Sequence, residues 1–252
     1  MKQPYIMVAP NGARRGKADH PALPVSIEET VAAAAACHAE GAAALHLHVR
    51  DAAGRHALDP GLYAEALAEM ARVLPEMRVQ ITTESAGMFE VADQLACLEA
   101  LRPGWASVSV REMARAPELA ERLYGLCAAE GIEIQHILYD TADAALLRDW
   151  QARGTVRPGQ ESVIFVLGRY EDGPASTPQG IAPFLEALPG VGDWMICAFG
   201  AAEHACLAEA ARLGGALRVG FENALVDAEG VPHADNAASV RRLLQTIEGD
   251  KS

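Results

Sequence analysis

No apolar run in the 252-residue sequence approaches the roughly 18 residues that a membrane-spanning helix needs. The opening segment, Met1–Pro10, leads straight into a strand-like stretch without the apolar core of a signal peptide. The sequence therefore predicts a cytoplasmic protein with no membrane partner. Cysteine pairs are missing too: Cys37, Cys97, Cys127, Cys197 and Cys206 are an odd, dispersed set with no CxxC spacing, which argues for reduced thiols rather than disulfides or a thiolate zinc site. Positive charge is scarce, with 21 Lys and Arg against 34 Asp and Glu, and the formal net charge of −13 opposes binding to nucleic acid. An anionic small molecule would need a local basic site. A GxGxxG fingerprint after the first strand is also absent, which weakens the case for a doubly wound dinucleotide-binding sheet. No linker, low-complexity tract or boundary interrupts the chain, so one domain over residues 1–252 is expected, a size that α/β barrels reach undivided.

What is present is alternation. Strand-like runs are predicted at 5–9, 43–49, 78–83, 105–110, 132–139, 162–168, 193–199 and 216–222. Helical stretches separate them at about 26–40, 60–74, 90–101, 117–130, 141–153, 178–188 and 202–213, with a last helix near 235–248. Ser26 and Glu29 form a capping-box pattern. Pro60, Pro117 and Pro178 sit where a first-turn proline is tolerated, and Gly41, Gly131 and Gly154 follow helices as C-terminal caps. Eight βα units in this order predict an α/β fold, a single (β/α)8 TIM barrel, with an open doubly wound sheet as the alternative.

The stretch Gly41–Asp51 organises the candidate site. Residues two apart in a strand share a face, so His46 and His48 project together while Leu45, Leu47 and Val49 pack on the other side. Two imidazoles on a stiff backbone can hold one transition metal; the plainer reading is a pair of satisfied core histidines. In the eighth strand Arg218, Gly220 and Glu222 share parity. Closing the barrel brings that strand next to the first, one strand from His46 and His48, so Glu222 can complete a His2Glu set of the kind that holds a catalytic zinc with an open position. The plainer reading of Glu222 is a salt bridge to Arg218. On the third strand Gln80, Thr82 and Glu84 are in phase, and on the fourth Ser107, Ser109 and Arg111. Hydroxyls at such strand ends suit hydrogen bonds to a substrate oxygen or, equally, caps for the following loop. His136 reads as structural, and Asp140 and Arg169 lie near strand ends without an assignable partner. The first loop carries Arg14, Arg15 and Lys17. It can receive an anion at the catalytic face, although Arg15 and Lys17 read as ordinary solvated residues.

Taken together, His46-Leu-His48, Ala9-Pro-Asn-Gly-Ala13, Phe165-Val-Leu-Gly168 and Arg218-Val-Gly-Phe-Glu222 resemble the β-keto acid cleavage enzymes, whose type activity is 3-keto-5-aminohexanoate cleavage. The resemblance runs from about residue 4 to about residue 246. It implies a zinc-dependent TIM barrel, commonly a homotetramer, that combines a β-keto acid with acetyl-CoA to give acetoacetate and a new acyl-CoA. Residue by residue it implies His46, His48 and Glu222 as Zn2+ ligands and Arg218 as a catalytic arginine. Thr82 stands at a catalytic serine position, and Ser109 at a threonine that helps hold the substrate carboxylate. Three positions depart from the pattern. Arg14 replaces a glutamate that meets the substrate amine. Asn223 replaces the aspartate after the metal-binding glutamate, and Glu84-Ser85 replaces a Gly-Gly pair. Asn223 cannot take a proton at neutral pH, so Glu84 becomes the candidate general base, with Arg14, Ser109 and Asn223 as candidate substrate contacts. Two other readings remain: an amidohydrolase-like metal hydrolase, which would place its HxH on the first strand, and a catalytically degenerate barrel that only binds a metal or ligand.

Overall fold

The computed structural model describes residues 4–169 and 175–249, so the first three residues of the opening segment lie outside the described residues. Eight parallel strands close into a barrel: β1 (Ile6–Val8), β2 (Ala44–Leu47), β5 (Arg78–Thr82), β6 (Trp105–Ser109), β7 (Glu133–Leu138), β8 (Ser162–Leu167), β9 (Trp194–Ala198) and β10 (Ala216–Val219). Around the barrel the order is β1, β10, β9, β8, β7, β6, β5, β2, so β10 meets β1 in parallel and the ring is complete. A short antiparallel ribbon, β3 (Val49–Arg50) with β4 (His56–Ala57), stands at the end of β2.

The helices are α1 (Ile27–Ala39), α2 (Pro60–Val73), α3 (Val91–Leu101), α4 (Val110–Met113), α5 (Pro117–Glu130), α6 (Thr141–Arg153), α7 (Ala182–Ala187), α8 (Glu203–Arg212) and α9 (Asn236–Gly249), with a 3-10 turn at Pro178–Ile181. The cap signals in the sequence act as expected. Ser26 and Glu29 make both halves of the capping box on α1, Pro60 and Pro117 open their helices, and Gly131 and Gly154 end α5 and α6 in the left-handed conformation. Among the described residues, no helix is long and apolar enough to cross a membrane.

Strand alternation sorts the side chains into two apolar layers. One lies between barrel and helices, with residues such as Leu45, Leu47, Ile81, Val108, Phe165 and Val219. The other fills the barrel interior with Met7, Ala44, Trp105, Ile137, Ile164, Val166, Met195 and Cys197. The inner layer is interrupted by polar side chains from β2, β5, β6, β7 and β10, and these gather toward the C-terminal ends of the strands, where the candidate site forms.

Every barrel strand stops at least one residue before its expected end, and two stop earlier still. β2 stops at Leu47, and Val49 turns away into the ribbon with β4. β10 stops at Val219, because Gly220 has φ 139°, a left-handed value that favours glycine. A β-carbon there would sit 2.6 Å from Ala9 O and 2.9 Å from Asn236 Oδ1. Glu222 therefore belongs to a turn, and strand parity with Arg218 is not what orients it.

Candidate active site

The turn that carries Glu222 is fixed from three sides. Gly220 N donates to Glu203 Oε1 at 3.1 Å and Phe221 N to Asn236 Oδ1 at 2.9 Å, while Arg15 Nη1 donates to Phe221 O at 2.7 Å. Arg15 was expected in solvent; instead it satisfies carbonyls that the tight turn leaves without partners. Lys17 does pair at the surface, with Glu29 at 2.8 Å. Glu222 N reaches Ala9 O at 3.0 Å, which joins the turn to the end of β1. Arg50 secures the first loop from below, donating to the carbonyls of Gly12 and of Arg15, the latter at 3.0 Å.

This scaffold brings His46, His48 and Glu222 together. All three are buried, and one ligand atom from each lies within 4.8 Å of the others. The two Nε2 atoms are 3.2 Å apart, and Glu222 Oε2 lies 3.7 Å from His46 Nε2 and 3.5 Å from His48 Nε2. Ligand atoms bound tetrahedrally at about 2.0–2.1 Å from zinc are about 3.4 Å apart. Among the described residues Glu222 Oε2 has no hydrogen-bond partner, so a buried anionic oxygen faces two imidazole nitrogens at coordination spacing. The residues fit a divalent cation. Glu222 pairs with Arg218 through its other oxygen at 3.0 Å, so the salt bridge and the ligand set coexist. Burial opposes ionisation of Glu222, but the Arg218 guanidinium foremost prevails and holds its carboxyl well below the ordinary range. Burial, reinforced by Arg218, holds His46 well below the usual histidine pKa, so its ring is neutral and fit to ligate.

A cavity of about 500 Å3 opens above the triad, lined among others by Arg14, His46, Thr82, Glu84, Ser109, Tyr139, Arg169, Arg218 and Glu222. Glu84 follows the end of β5 and places its carboxylate 3.9 Å from His48 Nε2. Burial raises its pKa, the His48 ring lowers it, and Glu222 and Glu112 raise it further. Its backbone is held by Glu84 N donating to Thr82 Oγ1 at 3.0 Å and by His56 Nε2 donating to Glu84 O at 2.8 Å. Burial, together with the neighbouring His48, depresses the pKa of His56 to about 3. The next residue, Ser85, gives its hydroxyl to Glu112 Oε1 at 2.7 Å. Thr82 Oγ1 accepts from Glu84 N and, at 3.4 Å, from Ser107 Oγ. Both of its lone pairs are therefore engaged, and its own hydrogen is available to the cavity. Among the described residues Ser109 Oγ has no hydrogen-bond partner, and it lies buried at the cavity wall.

Other sequence expectations resolve differently. Asn223 is fully buried and does not line the cavity, and among the described residues both of its side-chain polar atoms lack partners. Its backbone carbonyl accepts from Gly200 N at 3.2 Å. His136 is structural, with Nε2 3.0 Å from Gln160 O. Asp140 has a partner after all: it caps α6 and pairs with Arg111, which also grips Asp143. Sequence reasoning overlooked His56, Tyr139, Glu112 and Gln135. His56 sits eight residues past the HxH motif, across a turn whose pairing with Val49–Arg50 no parity argument anticipates.

A sequence model described as beta-keto acid cleavage enzyme matches residues 4–250. The chain is 26% identical, over an alignment 282 positions long, to the 3,5-dioxohexanoate:acetyl-CoA acetone transferase of Paraburkholderia graminis, covering 97% of this chain and 89% of that protein. It is 24% identical over 269 residues to the 3-keto-5-aminohexanoate cleavage enzyme of Acetoanaerobium sticklandii, covering 97% and 92%. Among solved structures, ObcA in ternary complex with a C4-CoA adduct and oxalate superposes with a TM-score of 0.69 at 17% identity. The match covers 92% of this chain but 65% of that one, just under two thirds, and at that identity it shows the shared barrel alone.

Proposed function

The chain belongs to the β-keto acid cleavage enzyme family, and from that premise we propose that it is a zinc-dependent acyltransferase that converts a β-keto acid and acetyl-CoA into acetoacetate and a new acyl-CoA. The observation that carries the proposal is the meeting, at one cavity, of three ligand atoms within 4.8 Å, a carboxylate with a raised pKa and a buried guanidinium. Bound by His46, His48 and Glu222, a divalent cation would supply Lewis acidity to the keto and carboxylate oxygens of the substrate.

The remaining work falls to side chains. Glu84 removes a proton from the carbon between the keto and carboxylate groups; its raised pKa and its place at the cavity wall suit a general base. Arg218, 3% exposed, presents a fixed positive charge toward the oxygen on which negative charge develops. Ser109 and Thr82 donate hydroxyl hydrogens to substrate oxygens. The carbanion displaces CoA from acetyl-CoA, and the released thiolate attacks the original keto carbon. Cleavage of the bond between that carbon and the former nucleophilic carbon then yields the new thioester. The proton taken at the outset returns to that carbon as acetoacetate leaves, so the reaction needs no oxidant or reductant.

The test is incubation of the purified protein with acetyl-CoA and a panel of β-keto acids, with acetoacetate and acyl-CoA products quantified by mass spectrometry. Equimolar formation of both is expected with at least one acid, together with one divalent metal per chain by elemental analysis. His46→Ala, His48→Ala and Glu222→Gln are expected to lose both metal and turnover while keeping the wild-type circular dichroism spectrum. Wild-type protein without stoichiometric metal, or hydrolysis of a panel acid without CoA transfer, would overturn the assignment.

A further inference from the structure

Beneath His46 a line of amides crosses the barrel interior. Gln80 on β5 stands in register with His46, and its Oε1 lies 2.8 Å from His46 Nδ1. Gln80 Nε2 donates to Gln135 Oε1 on β7 at 3.0 Å. Gln135 Nε2 in turn faces Ser162 Oγ on β8 at 3.5 Å and Met195 Sδ on β9 at 4.0 Å. Gln80 is 0% and Gln135 2% exposed, within a layer otherwise filled by residues such as Met7, Trp105 and Ile164. Two carboxamides buried among apolar side chains cost stability unless their hydrogen bonds are made, so packing alone does not explain them.

We propose that Gln80 and Gln135 are positioning residues that set the tautomer of His46: the chain of amides keeps its proton on Nδ1 and leaves the Nε2 lone pair for the metal. This rests on the reading of His46, His48 and Glu222 as a metal site. A carboxamide line has two directions. In one, each amide nitrogen points away from His46 and Gln80 offers it an oxygen. In the other, both amides are turned, Gln80 offers an N–H, and the imidazole proton moves to Nε2, where it blocks ligation. The far end separates the two. A serine hydroxyl serves either direction, because it donates and accepts, whereas the Met195 thioether only accepts and so favours the nitrogen end of Gln135. Because the links turn together, a preference at β8 and β9 reaches the imidazole on β2. At the near end, His46 Nε2 lies 3.2 Å from His48 Nε2, a spacing that suits two lone pairs turned toward one cation.

The experiment measures zinc affinity of the whole protein by competition with a chromophoric chelator. In parallel, long-range 1H–15N spectra of the metal-free protein report the tautomer of His46, identified by its loss in His46→Gln. The wild type is expected to show His46 protonated on Nδ1. Gln80→Leu should weaken zinc binding by about 10–100-fold, the range for removing a group that orients a ligating histidine. Gln80→Glu, which can only accept when ionised, should bind zinc at least as tightly as wild type. Gln135→Leu touches no ligand, yet should weaken binding several-fold and show both tautomers. A wild-type His46 protonated on Nε2, or Leu variants at 80 and 135 within twofold of wild-type affinity, would overturn the proposal. A protein with the Nδ1–H tautomer that binds no zinc would sink the metal reading above and leave the direction of the relay standing.

Discussion

Replacement of Arg218 by methionine and by lysine separates its two roles. The guanidinium lies 3.0 Å from Glu222 Oε1 in a site where both side chains are about 5% exposed or less. At that distance and an effective dielectric constant near 20, the gross attraction is about 5.5 kcal/mol. Removing one partner of such a buried pair typically costs about 3–5 kcal/mol, because the other charge is left uncompensated. For a chain of this size each kcal/mol shifts the melting temperature by about 2–4 °C, so Arg218→Met should melt about 6–20 °C lower when metal-free. Zinc bound by Glu222 would supply the missing positive charge, and the shift should shrink to less than half in zinc-saturated protein. Arg218→Lys keeps a charge but loses the planar fork, so its metal-free melting loss should be smaller and its metal content unchanged. Its turnover per bound zinc should nevertheless fall by about 10²–10³, the cost of losing one preorganised donor to a developing oxyanion. Scanning fluorimetry with and without chelator, and steady-state CoA transfer normalised to zinc, read both effects. Equal melting shifts in the two metal states, with lysine-variant turnover within tenfold of wild type, would refute the reasoning. A lysine variant that sheds its metal but keeps its turnover per zinc would make Arg218 only a structural partner of Glu222.

Arg14 is exposed at the rim of the cavity that Arg169 also lines, so β-keto acids with an anionic distal end should be preferred over those ending in an amine or methyl. Arg14→Glu should erode that preference by roughly 1.5–3 kcal/mol in kcat/KM for a carboxylate- and methyl-ended pair; equal values for the pair, unchanged in Arg14→Ala, would mean that Arg14 reads nothing. Glu203 is buried beneath the Glu222 turn, and burial is the main reason that its pKa is raised well above the ordinary carboxylate value. A raised folded-state pKa means that stability is full below the unfolded value, near 4.5, and is lost as pH rises through the folded one. Glu203→Gln should therefore match wild type in thermal melts near pH 4 and exceed it increasingly above pH 5; a gap that is widest in acid would contradict this. Gly220→Ala should retain the barrel by circular dichroism but lose at least tenfold in zinc affinity, since the new methyl displaces the turn from Ala9 O; unchanged affinity would show that the turn tolerates the shift.

How far the sequence reached depended on the period of the signal. The order of the eight barrel strands and their main helices was legible, because apolar alternation and the caps at Ser26, Gly131 and Gly154 are local, whereas the β3–β4 ribbon and α4 were not. The metal triad was legible for a partly mistaken reason. Parity places His46 inside the barrel, but His48 lies past the end of β2 and Glu222 past the end of β10, where parity no longer applies. What brings Glu222 to the imidazoles is the left-handed Gly220, with its neighbours held by Glu203, Asn236 and Arg15. Those three come from the N-termini of α8 and α9 and from the first loop, so their convergence is a property of barrel closure that no window of sequence contains. The same holds for the line from His46 to Met195, whose members come from four strands and are joined only by register. Polar residues in phase on neighbouring strands, such as Gln80 and Thr82 on β5 with Ser107 and Ser109 on β6, do signal a wet interior. Their partners become definite only when Gln80 stands opposite His46 and Ser162 opposite Gln135. The turn that aims Glu222 at the imidazoles is held by Glu203, Asn236 and Arg15, and among the described residues the Asn223 side chain makes no hydrogen bond to it.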